Sequence, residues 1–274
     1  MVIGVFGKGG SGKTTVSTAL VRFLHTQGNR VLAIDADHNM DLSYNLGHPE
    51  HPSPIGGQVE VLKEHIGIDA DEHYSQAVMR IEHDTDMPFA LDPLDPITER
   101  FSIKIEPKLR LMQTGPQTAG VLHGAHCSHY LGTPLKVYLP LLGLKENEWV
   151  IVDEKASADA VSTGIPTGMD VAIIVVEPRE HSIKVARHIA EGLTFFEVPH
   201  FYLANKTNSP EEQTLIAEGL GVAPITHLPT AHEYDEALLS DVIRSLLARK
   251  SPVSRLARSQ KKFARNEAFA IALG

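Results

Sequence analysis

Apolar residues come along this chain in short unbroken runs: "VIGVF" at 2–6, "RVLAID" at 30–35, "LRLMQT" at 109–114, "WVIVD" at 149–153, "VAIIVVE" at 171–177 and "FYLANK" at 201–206. Runs of this length, rich in β-branched residues, predict strands. Their lack of polar alternation predicts a sheet covered on both faces. Between the first two runs Val16, Ala19, Leu20, Phe23 and Leu24 recur at helical spacing, and Gly28 is a stop signal. Strand, helix and strand make a right-handed βαβ unit. Its repetition predicts an α/β fold, a doubly wound and mostly parallel sheet in three αβα layers.

The periodicity fails from His38 to Pro107, where "HPEHPSPIGG" (48–57) and "DMPFALDPLDPITER" (86–100) interrupt it. An irregular insertion of loop and short helix is expected over about 43–107, with helical patterns near 59–66 and 72–82. From about 231 to 274 the chain reads as helical. Val253, Leu256, Ala257, Phe263 and Ala264 form a stripe there beside Arg255, Arg258, Lys261, Lys262 and Arg265. The 274 residues suit one domain with that insertion, long enough to bury a substantial core.

Composition narrows the function classes. Thirty-four acidic against 25 basic residues give a formal charge of −9, which argues against general adhesion to nucleic acid or an anionic membrane. The single cysteine, Cys127, excludes an intrachain disulfide. The N-terminus enters a strand with no basic leader, and no apolar run nears the ~20 residues of a membrane span, so a cytoplasmic protein is expected. Fifteen histidines make metal handling a question.

The strongest motif is "GKGGSGKTT", Gly7 to Thr15. Gly7, Gly12, Lys13 and Thr14 satisfy G-x-x-x-x-G-K-[ST] between a predicted strand and a predicted helix, the setting a phosphate-binding P-loop requires. The backbone of Gly9, Gly10, Ser11 and Gly12 can wrap the β-phosphate with its N–H groups inward. Lys13 can reach β and γ oxygens, Thr14 can ligate Mg²⁺, and Thr15 continues the cradle at the helix N-terminus. Lys8 is a second lysine, too early in the loop to curl onto its own site, so its charge is expected to project outward toward a nucleotide held by a facing copy.

K-G-G-x-G-K-T resembles the signature of the deviant Walker A ATPases, the group of MinD, ParA, the nitrogenase iron protein and the carbon monoxide dehydrogenase maturation ATPase CooC. The resemblance covers most of the chain to about Leu239. It implies that two subunits sandwich two ATP molecules and that Lys8 of each reaches the phosphates of the other, which with Lys13 makes it a catalytic candidate. "AIDADHNMDL" (33–42) brings Asp35 and Asp37 off the end of a strand, where α/β sheets bind ligands. The resemblance implies that Asp37 orients the attacking water and that Asp35 lies near the hydration shell of the metal. "WVIVDEKAS" (149–157) supplies Asp153 for a Mg²⁺-bound water. Relatives usually continue as D-x-x-A-G, whereas this chain reads Glu154, Lys155, Ala156, Ser157. "LANKTN" (203–208) places Asn208 where a guanine reader needs Asp, so adenine is favoured. By resemblance Asn205, Lys206 and Pro229 frame that base.

"HGAHCSHYLG" (123–132) gathers His123, His126, Cys127 and His129, ligand types suited to Zn²⁺ or Ni²⁺. CooC-like proteins carry a C-x-C pair here, shared between subunits at a metal site. This chain keeps only Cys127, with Ala125 where the other cysteine would fall. A bridging [4Fe–4S] cluster needs four thiolates and is disfavoured, whereas a shared site of Cys127, His126 and His129 stays open beside the reading that these residues bind no metal. The resulting expectation is an ATP-hydrolysing, nucleotide-dependent homodimer that assists a client, a metalloenzyme in maturation or metal insertion. The alternatives are a MinD/ParA-type positioning ATPase acting on membrane or DNA, and a small-molecule P-loop kinase. Membrane attachment through the C-terminal stripe is weighed against packing on the domain, and its alanine-rich apolar side favours packing.

Overall fold

The computed structural model describes residues 1–85, 87–125, 127–231, 234–248 and 252–273. Ten strands occur among the described residues: β1 Val2–Gly7, β2 Arg30–Asp35, β3 Phe89–Ala90, β4 Ser102–Glu106, β5 Leu109–Gln113, β6 Leu142–Gly143, β7 Glu148–Asp153, β8 Val171–Val176, β9 His200–Ala204 and β10 Thr226–His227. Eight of them form one sheet in the order β10-β9-β8-β1-β7-β2-β5-β4, parallel throughout except for the β4–β5 edge pair; β3 and β6 pair separately. The doubly wound, mostly parallel α/β fold expected from the apolar runs is therefore observed.

Two hydrophobic clusters lie on opposite faces of the sheet, and the strand residues alternate between them. Ile3, Val5, Val31, Ala33 and Ile151 face Val16, Leu20 and Leu24 of the helix Lys13–Thr26 and Leu239, Val242 and Leu246 of the helix Glu236–Leu247. Phe6, Leu32, Ile34, Val150, Val152 and Ile174 face Leu135 and Tyr138, Ile189 and Leu193 of the helix Glu180–Phe195, and Leu256 and Phe263. Every residue of β7 and β8 is buried. Continuous apolar runs are the direct record of that two-sided covering.

The insertion is more ordered than the sequence implies. The helix Val59–Ile66 falls where the pattern puts it, and the second pattern shrinks to Ser75–Met79. A helix Pro96–Phe101 follows Asp95, whose Oδ1 accepts the N–H groups of Ile97 and Thr98 at 2.8 and 3.0 Å. It leads into the antiparallel strand β4, which the expectation of loop and short helix over 43–107 missed. β4 alternates apolar and charged residues because one side faces solvent.

The C-terminal helix Arg255–Leu273 packs on the domain, with Leu256 and Phe263 buried. Arg255 Nη2 donates to the carbonyl of Leu142 at 2.8 Å, and its Nε lies 3.4 Å from Asp170 Oδ1. Arg258 donates to the carbonyls of Val253 and Met169. Gln260 Nε2 donates to the carbonyl of Ile81 at 2.7 Å. No helix among the described residues is long and apolar enough to cross a membrane.

Candidate functional site

The parallel strands β1, β7, β2, β8 and β9 all end on one side of the sheet, and the segments that leave them converge there. β2 and β7 are in register, so Asp35 lies directly beside Asp153, and Val5 of β1 pairs with Asp153 on its other side.

The loop Gly7–Gly12 closes with the N–H of Ser11 donating to the carbonyl of Lys8 at 3.1 Å. Gly7 has φ 152, and a Cβ there would stand 2.6 Å from the carbonyl oxygen of Val175. Gly12 has φ 94 with the Asn205 amide pressed against it, so neither position tolerates a side chain. Gly12 precedes the helix Lys13–Thr26 with no side-chain cap. The first N–H groups of that helix are thus free to receive an anion at its positive end. Lys13 is buried, and Gly9 and Gly10 are exposed.

Thr14 Oγ1 donates to Asp153 Oδ2 at 2.7 Å, and Ser17 Oγ donates to Oδ1 at 2.8 Å. Burial raises the Asp153 carboxyl to about 6 against the pull of these two hydrogen bonds and of Lys13. Asp35 is fully buried, and its pKa is pushed up to about 8 by desolvation first and by Asp153 second. Its oxygens accept the backbone N–H groups of Asp37 at 3.1 Å and Leu42 at 2.9 Å, so Asp35 shapes the turn that presents Asp37. Asp37 is only partly buried and accepts from the N–H of Asn39 at 3.1 Å. Around Thr14 the donors are hydroxyl and carboxylate oxygens, the chemistry of a hard divalent cation. Among the described residues no three His, Cys, Asp or Glu side chains gather to hold a metal ion. Mg²⁺ in general takes one or two protein ligands and completes its shell with phosphate and water.

Two sequence expectations need correction. Lys8 does not project into solvent: its Nζ lies 3.8 Å from Glu177 Oε1 and donates to the Gly9 carbonyl at 3.1 Å, because a buried carboxylate at the end of β8 draws it back. Asn205 is not laid open toward a base. It is 2% exposed, its Nδ2 donates to the Ser11 carbonyl at 2.9 Å, and its Oδ1 accepts from the Tyr234 hydroxyl at 2.9 Å. It is a strut between the phosphate loop and the last quarter of the chain. Lys206 Nζ donates to the carbonyl of Gly10, and Pro229 is exposed beyond β10. Across that rim Asn208 Nδ2 donates to Thr230 Oγ1 at 3.1 Å.

Ser157 adopts a left-handed conformation that favours glycine, at φ 86, and its N–H donates to the carbonyl of Gly7 at 3.2 Å. The loop after Asp153 is therefore tied over the phosphate loop at a conformational cost of about 1 kcal/mol. Glu154 is buried, its Oε1 has no hydrogen-bond partner among the described residues, and desolvation raises it to about 8. It borders a small cavity with His38, Thr114 and His129. Burial lowers the pKa of His129, and Cys127 is exposed. His126 lies outside the described residues, so His126, Cys127 and His129 are not shown as one cluster.

Ser17, Tyr234 and Glu177 escaped the sequence reading. Ser17 had a signal, since it follows Thr14 by three positions on one helix face. The others meet the loop only through long-range folding.

Residues 2–253 match the CobQ/CobB/MinD/ParA nucleotide binding domain family. The carbon monoxide dehydrogenase accessory protein CooC of Rhodospirillum rubrum is 30% identical over 227 residues, 80% of this chain and 79% of that protein. An uncharacterized ATP-binding protein of Methanocaldococcus jannaschii is 30% identical over 243 residues, 86% of this chain and 87% of its own length. Among solved structures, the septum site-determining protein MinD of Pyrococcus horikoshii with Mg-ADP superposes with a TM-score of 0.57 at 16% identity, over 95% of this chain and 94% of that one. A chain of the MinC:MinD cell division protein complex of Aquifex aeolicus gives 0.56 at 18%, over 92% of this chain and 98% of that one. A phosphate loop, its paired aspartates and this match over most of the length together make the chain a member of the CobQ/CobB/MinD/ParA nucleotide-binding family.

Proposed function

We propose that this protein is a slow ATPase that dimerises around two ATP molecules and uses the cycle to assist assembly of a metalloenzyme. The observation that carries the reading is the loop itself: a cationic lip, a helix N-terminus without a side-chain cap, and a Thr14 hydroxyl joined to Asp153. ATP would lie along Gly7–Thr15, with the N–H groups of Gly9 to Thr15 and the Lys13 ammonium on its phosphates and Lys206 and Pro229 near its base. Thr14, with Asp153 and Asp35 behind it, would hold Mg²⁺, which when bound would supply charge neutralisation to the phosphate oxygens. Asp37 then orients the attacking water, Asp35 fixes the turn that carries it, and Lys8 reaches the phosphates of a second copy. Ser157, strained over the loop, makes the release of the switch slow.

The maturation role is supported by similarity to CooC and by the chemistry of 123–129. Cys127 is exposed and His129 carries a buried Nε2 with no partner among the described residues, groups that a second copy and a Zn²⁺ or Ni²⁺ cargo could complete. Packing of the C-terminal helix disfavours the membrane-positioning alternative. Light scattering with ADP and with a non-hydrolysable ATP analogue tests the core of the proposal. The analogue should double the mass of the wild type and leave Lys8→Ala monomeric, and a wild type indifferent to nucleotide would end it. Metal analysis of the analogue-bound dimer tests the cargo, and vesicle and DNA pelleting tests the alternative.

A further inference from the structure

Glu177 follows β8 at the mouth of the phosphate loop, and no step of the cycle above employs it. Its side chain is 5% exposed, and among the described residues its oxygens meet two cations: Lys8 Nζ at 3.8 Å from Oε1 and Lys206 Nζ at 3.4 Å from Oε2. Its N–H donates to Ser182 Oγ at 3.1 Å, which fixes the residue against the helix Glu180–Phe195. A buried carboxylate beside a polyphosphate site repels its ligand unless the charge is balanced. The balance here comes from the two lysines at the lip, the same charges the phosphates would draw on.

The two lysines are held differently. Lys206 donates to the carbonyl of Gly10 in the phosphate loop and to Glu177 Oε2 at 3.4 Å, whereas Lys8 donates to the carbonyl of the adjacent Gly9. Lys8 is 29% exposed at the side chain and stands 3.8 Å from the carboxylate, beyond hydrogen-bond reach. Such a pair is weak and easily exchanged. We infer that Glu177 is a positioning residue that stores Lys8 in its own protomer while nucleotide is missing and yields it when the triphosphate of a facing copy competes. Closure then responds to ATP in both sites, because a partner without the γ-phosphate offers Lys8 less than Glu177 does. This deepens the proposed cycle and rests on Lys8 acting across the dimer.

Two readouts separate the storage contact from the transfer. Limiting acylation of the nucleotide-free protein, read by peptide mass spectrometry against the exposed Lys184, reports whether Lys8 is shielded. In Glu177→Gln, which keeps the shape and removes the charge, Lys8 should be acylated roughly two- to fivefold faster, the range a weak ion pair allows. The analogue concentration for half-dimerisation should fall by a similar factor, and that gain should vanish in the Lys8→Ala background. Glu177→Asp keeps the charge on a shorter arm and should lie between, which also covers a poorly folding Gln variant. Unchanged Lys8 acylation in Glu177→Gln overturns the storage role even if Lys8→Ala blocks dimerisation. A Lys8→Ala protein that dimerises like the wild type sinks the transfer across subunits instead. A half-dimerisation point that stays level or rises in a well-folded Glu177→Gln also overturns the inference.

Discussion

Glu154 shows at the scale of one residue what a charged side chain costs when it follows a fully buried strand. Desolvation raises its carboxyl from 4.5 to about 8, so the folded state keeps the proton that the unfolded chain releases. The sign follows: the group is harmless below about 4.5, stability falls as pH rises from 4.5 to 8, and above 8 the full penalty stands. Glu154→Gln keeps the shape without the ionisation. Its thermal midpoint should exceed that of the wild type at pH 8.5, and the gain should shrink toward zero near pH 4.5, as calorimetry across pH would show. At this scale the sequence was most informative where chemistry is local. Gly7 to Thr15, Asp37 and Asp153 could be singled out as candidates because motif and strand end coincide. Glu177 and Tyr234 could not, since Glu177 meets Lys8 and Tyr234 meets Asn205 only through the fold.

Among elements, the buried strands were legible because two-sided covering leaves an unbroken apolar run, and the six runs appear as β1, β2, β5, β7, β8 and β9 within a residue or two of their ends. The insertion was not, because its prolines hide shorter signals. "SIKIE" alternates as a half-exposed strand should, and Asp95 before Pro96 is a helix start whose side chain accepts two N–H groups. The C-terminal helix shows the opposite case, a basic stripe in which Arg255 and Arg258 point inward. Arg258 is 2% exposed and serves the carbonyls of Met169 and Val253. Arg258→Ala strips both carbonyls of their donor and leaves a void, so it should cost about 2–4 kcal/mol in urea unfolding. A loss under 1 kcal/mol would mean that the helix contributes little to the fold.

For the whole molecule, ligand linkage is the measurable quantity. A nucleotide that binds only the folded chain at a hundredfold its dissociation constant adds about 2.7 kcal/mol. Thermal shift with Mg²⁺-ATP against ATP with chelator should show a Mg²⁺-dependent part. That part should disappear in Thr14→Ala, which removes the hydroxyl that now bonds Asp153. Persistence of the Mg²⁺-dependent shift in that variant would move the cation to other ligands.

The two borders of the large sheet have a consequence for how copies can meet. One border is β10, two residues long; the other is β4, where Lys104 and Glu106 interrupt the apolar positions. Neither offers a long, flat row of amide groups on which another chain could extend the ladder. Lateral growth into fibres is thereby discouraged. In the proposed dimer a second molecule would instead meet the lysines of the loop at the rim where the strands terminate.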